Sequence, residues 1–550
     1  MPFDLILRDG RIVDGTGNPW YYSDIGIRNG KIVAISRRIE EKADRVIKVR
    51  GLVVAPGFID VHSHTDRTIY WNRYGESALK QGITTMVTGM CGGSAAPITD
   101  EMAKRMMMRF PERKIEWRTF REFLRMVSKN GLGINIAPFV GHNTIRTMVL
   151  GPEGEGGERT EITKRELQRM KRHVREAMRV GAFGLSTGLV YPPGRNATTE
   201  EIVELCKVVA KYNGLYFTHI RNEGDTLLEA VAEAAEIGRR AGVPVHIAHF
   251  KAIGEPNWGK VVHALAIIEE ARREGVDITC DLYPYPRSAV GSLLSRLTLP
   301  GEAFEPERLL EELRDEEKWA ERRRRVVARL RAMEEADGER KKRLNEAGVA
   351  WPYYRGMRYS VIVHSKSHPE YINKTVVEVA EGRGEELVDA IRNLVLEDDG
   401  TTRVAGHMCE EDVRTVLKHP LSMVGTDSSS IDGLPESPYT ALHPRIFGSY
   451  PRILGKYVRE EHLLPLEEAI RKMTSYPAQR LRLRDRGLLR PGCWADVVVF
   501  DPKTIDETAT FGDPHQYPVG IEYVLVNGVV AVEEGKLTKA LAGKVLRRGR

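Results

Sequence analysis

Cysteine and glutamine are the scarce residues in this 550-residue chain, with five of the first and four of the second. The thiols (Cys91, Cys206, Cys280, Cys409 and Cys493) are odd in number and far apart, so a disulfide framework is not expected and a reducing cytoplasm is the natural setting. Few glutamines beside 29% charged residues lean toward a heat-adapted source. No run of about 18 apolar residues occurs. The opening MPFDLILRDGRIVDG puts acids and turn glycines where a signal peptide needs an apolar stretch, so we expect a soluble chain with no membrane role. Neither sign of charge dominates. The net +6 comes from 83 basic and 77 acidic residues mixed along the chain, which gives no reason to expect a nucleic-acid partner. No internal repeat is visible, and a homo-oligomer stays open.

What is present is enough apolar residue, 41%, for a large core. Residues 1–56 alternate short β-like runs with glycine turns, and residues 481–550 repeat the style in GLLRPGCWADVVVFD and IEYVLVNGVV. Both ends therefore look like one β-rich module split by everything between. In residues 57–480 short apolar runs (GITTMVTG, GINIAPFVGH, GAFGLSTG, GLYFTHI, VPVHIAHF, VDITCDLYPY, YSVIVHS, TRVAGH, LSMVGTDSS) alternate with charged helical patterns closed by glycine. About eight strand–helix units predict an α/β fold, a (β/α)8 TIM barrel with a small β-sandwich built from both chain ends. Two insertions stand out: the glycine- and glutamate-rich loop 151–161, read as mobile, and a charged helical stretch at 303–346, read as a solvated face or lid.

Barrel active sites sit at the carboxyl ends of the strands, and there the apolar runs are broken by metal-binding residue types. His62 and His64 end FIDVHSH one strand step apart, on one face, which suits a divalent metal. Cys91 follows the next strand on a glycine-rich turn. His219 closes LYFTHI, His249 closes VHIAHF, and Asp427 closes LSMVGTD, where an acid can bind metal and accept a proton. Cys206 and Cys280 read as packing, and His142 as a loop hydrogen bond. Arg221, Glu223 and Asp66 read as hydrogen-bonding support one layer behind the ligands.

GFIDVHSHTD, VTGMCGGSAAP, GLSTGLVYPPG, THIRNEGD, AHFKAIG, DLYPYPRS and HPRIFGSYPRILGKYVRE together resemble the amidohydrolase superfamily, in its D-aminoacylase branch of N-acyl-D-amino-acid deacylases. The resemblance runs nearly end to end. It implies that Cys91, His219 and His249 hold a tight Zn2+, and that His62, His64 and Asp427 surround a second, weaker position with Cys91 able to bridge. AFGLSTGLVYPP offers no lysine for the carboxylated-lysine bridge of many superfamily members. The implied activity is hydrolysis of a small N-acyl-D-amino acid by metal-activated water, with Asp427 as general base and then acid. The same resemblance nominates Arg445 for the substrate carboxylate, with Tyr283, Ser288 and Lys251 as helpers and Tyr191 lining the pocket. TDSSSIDGLPESPYTALHPR carries extra residues between Asp427 and Arg445, expected to roof the site. A cyclic-amide hydrolase or dipeptidase ranks second, and a catalytically silent scaffold of the same fold third.

Overall fold

The structure, a computed structural model, describes residues 2–109, 114–151, 159–299, 302, 304–334, 356–434 and 443–549. Five short strands open the chain: β1 (Phe3–Ile12), β2 (Tyr21–Arg28), β3 (Lys31–Ser36), β4 (Ala43–Lys48) and β5 (Val53–Pro56). One edge of β1 pairs with β2. Its other edge forks, the first half running parallel to β4 and the last two residues parallel to β5. The fork turns the sheet around its own apolar core of Leu5, Leu7, Ile25, Ile27, Val54, Val497 and Val499.

The barrel follows at once. Its strands are β6 (Phe58–Asp60), β7 (Ile83–Thr88), β8 (Asn135–Pro138), β9 (Val140–Gly141), β10 (Gly184–Gly188), β11 (Leu215–His219), β12 (Val245–Ile247) and β13 (Ile278–Leu282). Then comes an excursion through β14 (Arg287–Ser292), β15 (Ser360–His364) and β16 (Arg403–His407) before β17 (Ser422–Val424) returns to the barrel. Two parallel ladders, β6-β7-β8 and β9-β10-β11-β12-β13-β17, give eight strands when β8 and β9 are counted as one strand broken at Phe139. Closure between first and last strands is made by Val61 N to Val424 O and by Asp427 N to His62 O at 2.8 Å. Phe139, Phe183, Phe217, Val61 and Met423 fill the interior, so the barrel is a packed core rather than a pore.

The crossover helices form for reasons the sequence states locally. Lys164–Arg179 starts at a capping box, Thr163 with Glu166, and buries Met170, Val174, Ala177 and Met178 at helical spacing. Leu227–Ala241 stops at Gly242, whose left-handed backbone (φ 63°) lets its N–H reach Gly238 O. The chain then ends in β18 (Val497–Phe500), β19 (Ile521–Val526), β20 (Val529–Glu533) and β21 (Lys536–Leu537), which extend from β5 to complete a nine-stranded sheet. Among the described residues no helix is long and apolar enough to cross a membrane.

The excursion between β13 and β17 departs from the sequence reading. YSVIVHS and TRVAGH, expected as barrel strands, are instead β15 and β16 of a separate antiparallel sheet with β14. Their apolar runs mark buried strands, but periodicity cannot say which sheet a strand joins. The charged stretch is likewise more than a solvated face. Trp319, Val326 and Leu330 of Glu316–Glu334 join Leu293, Leu294, Leu297, Ile362, Ile391 and Leu394 in a core of their own. Each such side chain contributes about 1.5–3 kcal/mol on burial. Buried Arg322 of the same helix pairs with Glu302 at 2.9 Å and Glu312 at 2.6 Å. Residues 335–355, the rest of that stretch, lie outside the described residues, as do 152–158 of the glycine- and glutamate-rich loop and 435–442 before Arg445.

Candidate metal centre

Backbone register brings the first and last strands to one point. Asp60 accepts from His62 N (3.0 Å), Thr426 N (3.0 Å) and Thr426 Oγ1 (2.6 Å), tying β6 to the end of β17. With Asp427 N on His62 O and His64 N on Ser428 O, both 2.8 Å, the two imidazoles and the carboxylate face each other. Asp427 Oδ1 lies 3.0 Å from His64 Nε2 and 3.3 Å from His62 Nε2.

Cys91 sits in the left-handed region (φ 51°), beside Gly92. A Cβ at Gly92 would fall 2.1 Å from Asn143 Oδ1, so only glycine permits this close turn. Buried Asp66 straddles the turn, accepting from Gly89 N at 3.0 Å and Ala95 N at 2.7 Å. His249 (φ 35°) and Asp427 (φ 46°) are also left-handed. Such backbone persists where the surroundings over-determine it, and here it aims three donors at one point.

Cys91 Sγ is 3.3 Å from His62 Nε2 and 3.5 Å from His249 Nε2. Donors around a tetrahedral zinc, at bonds of about 2.0–2.3 Å, lie about 3.3–3.8 Å apart. Two donor groups form, each with its atoms within 4.8 Å of one another: His62, His64, Cys91 and Asp427, and Cys91, His219 and His249. Cys91 belongs to both. Among the described residues neither ring nitrogen of buried His219 has a hydrogen-bond partner, and Glu223 Oε2 approaches Nε2 only to 3.6 Å. A sealed, unbonded imidazole is costly unless a cation takes its lone pair, so the donor set fits a metal.

The electrostatics agree. Burial pushes the Cys91 thiol up, but His62 and His249 outweigh it and hold it well below the usual thiol range, the condition for a thiolate. Burial also raises Asp427, against which Arg445, His62 and His249 keep the carboxyl well below its ordinary range. Arg445 Nη1 stands 2.8 Å from Asp427 Oδ2 and stacks 4.6 Å above the Tyr283 ring.

Supporting hydrogen bonds fix the rings. Glu223 Oε1 lies 2.8 Å from His249 Nδ1 and 2.5 Å from Lys251 Nζ. Arg221 acts one layer further out, gripping Glu233 and the carbonyls of Arg195 and Ala197. His142 belongs to neither donor group and bonds Glu201 Oε1 at 2.7 Å. Cys206 and Cys280 are packing residues whose thiols burial pushes up.

Beside the donors opens a cavity of about 380 Å3, walled by Tyr191, Lys251, Tyr283, Ser288, His219, His249 and Asp427 among others. Of the residues nominated for substrate, Tyr191 stands half exposed at the mouth. The Ser288 hydroxyl already accepts Gly406 N at 2.9 Å, and Arg445 sits behind Asp427.

The sequence reading missed Asp281. Its Oδ2 lies 3.4 Å from His62 Nδ1 and 3.1 Å from His246 Nε2, while Oδ1 accepts His249 N at 2.8 Å. Burial raises this carboxyl, yet His62 and His246 hold it below the carboxylate range, so an anion backs two candidate ligands. The signal was an acid inside the apolar strand of VDITCDLYPY. Asp281→Asn is expected to weaken zinc affinity about 10–100-fold, read by competition against a chelating dye. Parental affinity in that variant would remove Asp281 from the site.

A closed parallel barrel with imidazole, thiol and carboxylate donors at its carboxyl mouth is the architecture of metal-dependent hydrolases. The amidohydrolase family profile matches residues 45–532, and the chain belongs to that family. It is 34% identical over 548 residues to D-aminoacylase of Alcaligenes xylosoxydans xylosoxydans, covering 100% of this chain and 98% of that one. It is 34% identical over 547 residues to N-acyl-D-glutamate deacylase of the same organism, covering 99% and 96%. The solved N-acyl-D-glutamate deacylase of Bordetella bronchiseptica, complexed with zinc and a phosphonate mimic of the tetrahedral intermediate, superposes with a TM-score of 0.74 at 32% identity, 100% of each chain being covered.

Proposed function

We propose that this protein is a zinc-dependent deacylase of N-acyl-D-amino acids, releasing a carboxylate and a free D-amino acid. The observation that carries the reading is Asp427, with one oxygen on His62 and His64 and the other on Arg445, in the wall of a cavity sized for a small acyl amino acid. Relatives at 34% identity over the whole chain bear names of that activity. Cys91, His219 and His249 would hold the tight ion, and His62, His64 and Asp427, with Cys91 shared, a weaker second one. When bound, the metal polarises the amide carbonyl and acidifies water.

The chain's own groups do the rest. Asp427 takes the proton of the attacking water and returns it to the departing amine, base first and acid second. One nitrogen of Arg445 holds Asp427, and the rest of its guanidinium, stacked on Tyr283, would serve the substrate α-carboxylate. Lys251, anchored on Glu223, adds a second cation from the cavity wall. All five cysteines are free, which supports the cytoplasm as the compartment.

A screen of N-acetyl-D- and N-acetyl-L-amino acids, with neutral and acidic members of each, tests the reading. Hydrolysis is expected for D-isomers, at least about tenfold above their L counterparts in kcat/KM, since the wrong hand places either the carboxylate or the acyl carbon off target. Turnover confined to L-isomers would overturn it.

A further inference from the structure

We propose that Asn143 is a positioning residue that holds the turn carrying Cys91 and the loop carrying Tyr191 in fixed register; the substrate-side half of the proposal rests on the deacylase reading above. Asn143 sits in HNTIR, the first turn of the helix His142–Leu150, where His142, Asn143, Thr144 and Arg146 are all buried. Burying polar side chains is costly unless partners match them, so their partners say what this turn is built to hold. One amide meets three segments. Its Oδ1 accepts Gly188 N at 3.3 Å and its Nδ2 donates to Gly188 O at 3.1 Å, a two-point grip on the end of β10 that also fixes which way the amide faces. Nδ2 reaches Tyr191 O at 3.4 Å as well. The socket around the amide is lined with glycine. A Cβ at Gly92, next to Cys91, would fall 2.1 Å from Oδ1, and one at Gly194, just past Tyr191, would fall 2.5 Å from Oδ1 and 2.7 Å from Nδ2. A Cβ at Gly188 would fall 2.3 Å from Cys91 O, so the end of β10 lies directly against the backbone of that donor.

Gly188 also pairs with His219 in the barrel ladder, Leu189 N donates to His219 O at 3.0 Å, and the Tyr191 ring stands edge-on, 4.8 Å from the His219 ring. The segment that Asn143 grips therefore lies between two candidate ligands of the tight ion and supplies part of the cavity wall. The rest of the turn works in the same direction. On the Cys91 side, Thr144 N donates to Gly92 O at 3.1 Å and Thr144 Oγ1 accepts Ser94 N at 2.9 Å. On the Tyr191 side, Arg146 Nη1 donates to Pro193 O at 3.1 Å while its Nε pairs with Glu201 at 3.1 Å. Thr144 serves one side and Arg146 the other; Asn143 touches both.

Asn143→Asp keeps the shape and the acceptor for Gly188 N but sets a carboxylate oxygen against Gly188 O and Tyr191 O. It is expected to weaken tight zinc about tenfold in chelator competition, to shift the thiolate-to-cobalt charge-transfer band of Co2+-loaded protein, and to raise KM for N-acetyl-D-amino acids about tenfold with kcat changed less. Tyr191→Ala is expected to raise KM while leaving the cobalt band in place. The double variant is expected to show no higher KM than Tyr191→Ala alone, since the amide acts on substrate through that loop. Gly194→Ala, which keeps the amide and presses the loop against it, is expected to raise KM and shift the band in the same directions, and unchanged values there overturn the proposal where Asn143→Asp does not fold. An Asn143→Asp protein that melts earlier but keeps the parental band, zinc affinity and KM would make the residue a structural one and overturn the proposal, as would KM increases that add in the double variant. If the unaltered protein hydrolyses no N-acyl amino acid, the deacylase reading falls, and the cobalt band and zinc affinity still decide this proposal.

Discussion

Changing Asp427 to asparagine is expected to lower kcat by about 10²–10⁴-fold, the usual worth of a positioned acid–base group, while the protein keeps its tight zinc. The two halves of that result follow from different contacts. Asp427 belongs to the donor group with His62 and His64, whereas His219 and His249 reach Cys91 without it. Asparagine is the cleaner replacement for two reasons. Position 427 has a φ of 46°, which asparagine tolerates far better than alanine. It also leaves an amide oxygen facing Arg445, which is 7% exposed and otherwise stranded. Removing one partner of a buried ion pair costs about 3–5 kcal/mol, so Asp427→Ala is expected to lose stability as well as activity. Comparing both variants by thermal melting and by rate separates the two effects. Appreciable turnover by a folded, zinc-loaded Asp427→Asn protein would remove the proton-transfer role.

Cys91→Ser is expected to strip the centre itself. Cys91 is the one residue common to both donor groups, 3.3 Å from His62 Nε2 and 3.5 Å from His249 Nε2. A zinc site draws about 10–16 kcal/mol from four ligands, so losing the thiolate costs roughly a quarter of that, enough for about 100-fold or more in affinity. Serine keeps the size and pays the same backbone strain at φ 51°, and Asp66 still ties Gly89 to Ala95 across the turn. Metal content after dialysis is expected to fall well below one zinc per chain, with activity returning only in excess zinc. Stoichiometric zinc in dialysed Cys91→Ser protein would show that the thiolate is dispensable.

The donor residues were legible because each interrupts an apolar run at a strand end: His62 and His64 after FID, His219 after LYFT, His249 after VHIA, Asp427 after LSMVG. Strand pleat and barrel polarity then suffice to place them at one mouth. Cys91 was legible from its glycines, although its left-handed backbone was not. Asp281 could have been read by the same rule, since Thr279 and Asp281 alternate with Ile278, Cys280 and Leu282 in one strand. β15 and β16 were misassigned because their local pattern is that of a barrel strand while their partners lie across the excursion, a long-range fact. The pairing of Arg445 with Asp427 joins residues at the two ends of a connection whose middle the sequence pattern leaves open.

X-ray absorption at the zinc edge of the loaded protein, combined with metal content, tests the central claim most directly. The convergence of Cys91 with the histidines predicts one tight zinc per chain with a sulfur at about 2.3 Å and nitrogen or oxygen neighbours at about 2.0–2.1 Å. A shell of nitrogen and oxygen alone, or a protein that retains no zinc from metal-replete growth, would contradict it.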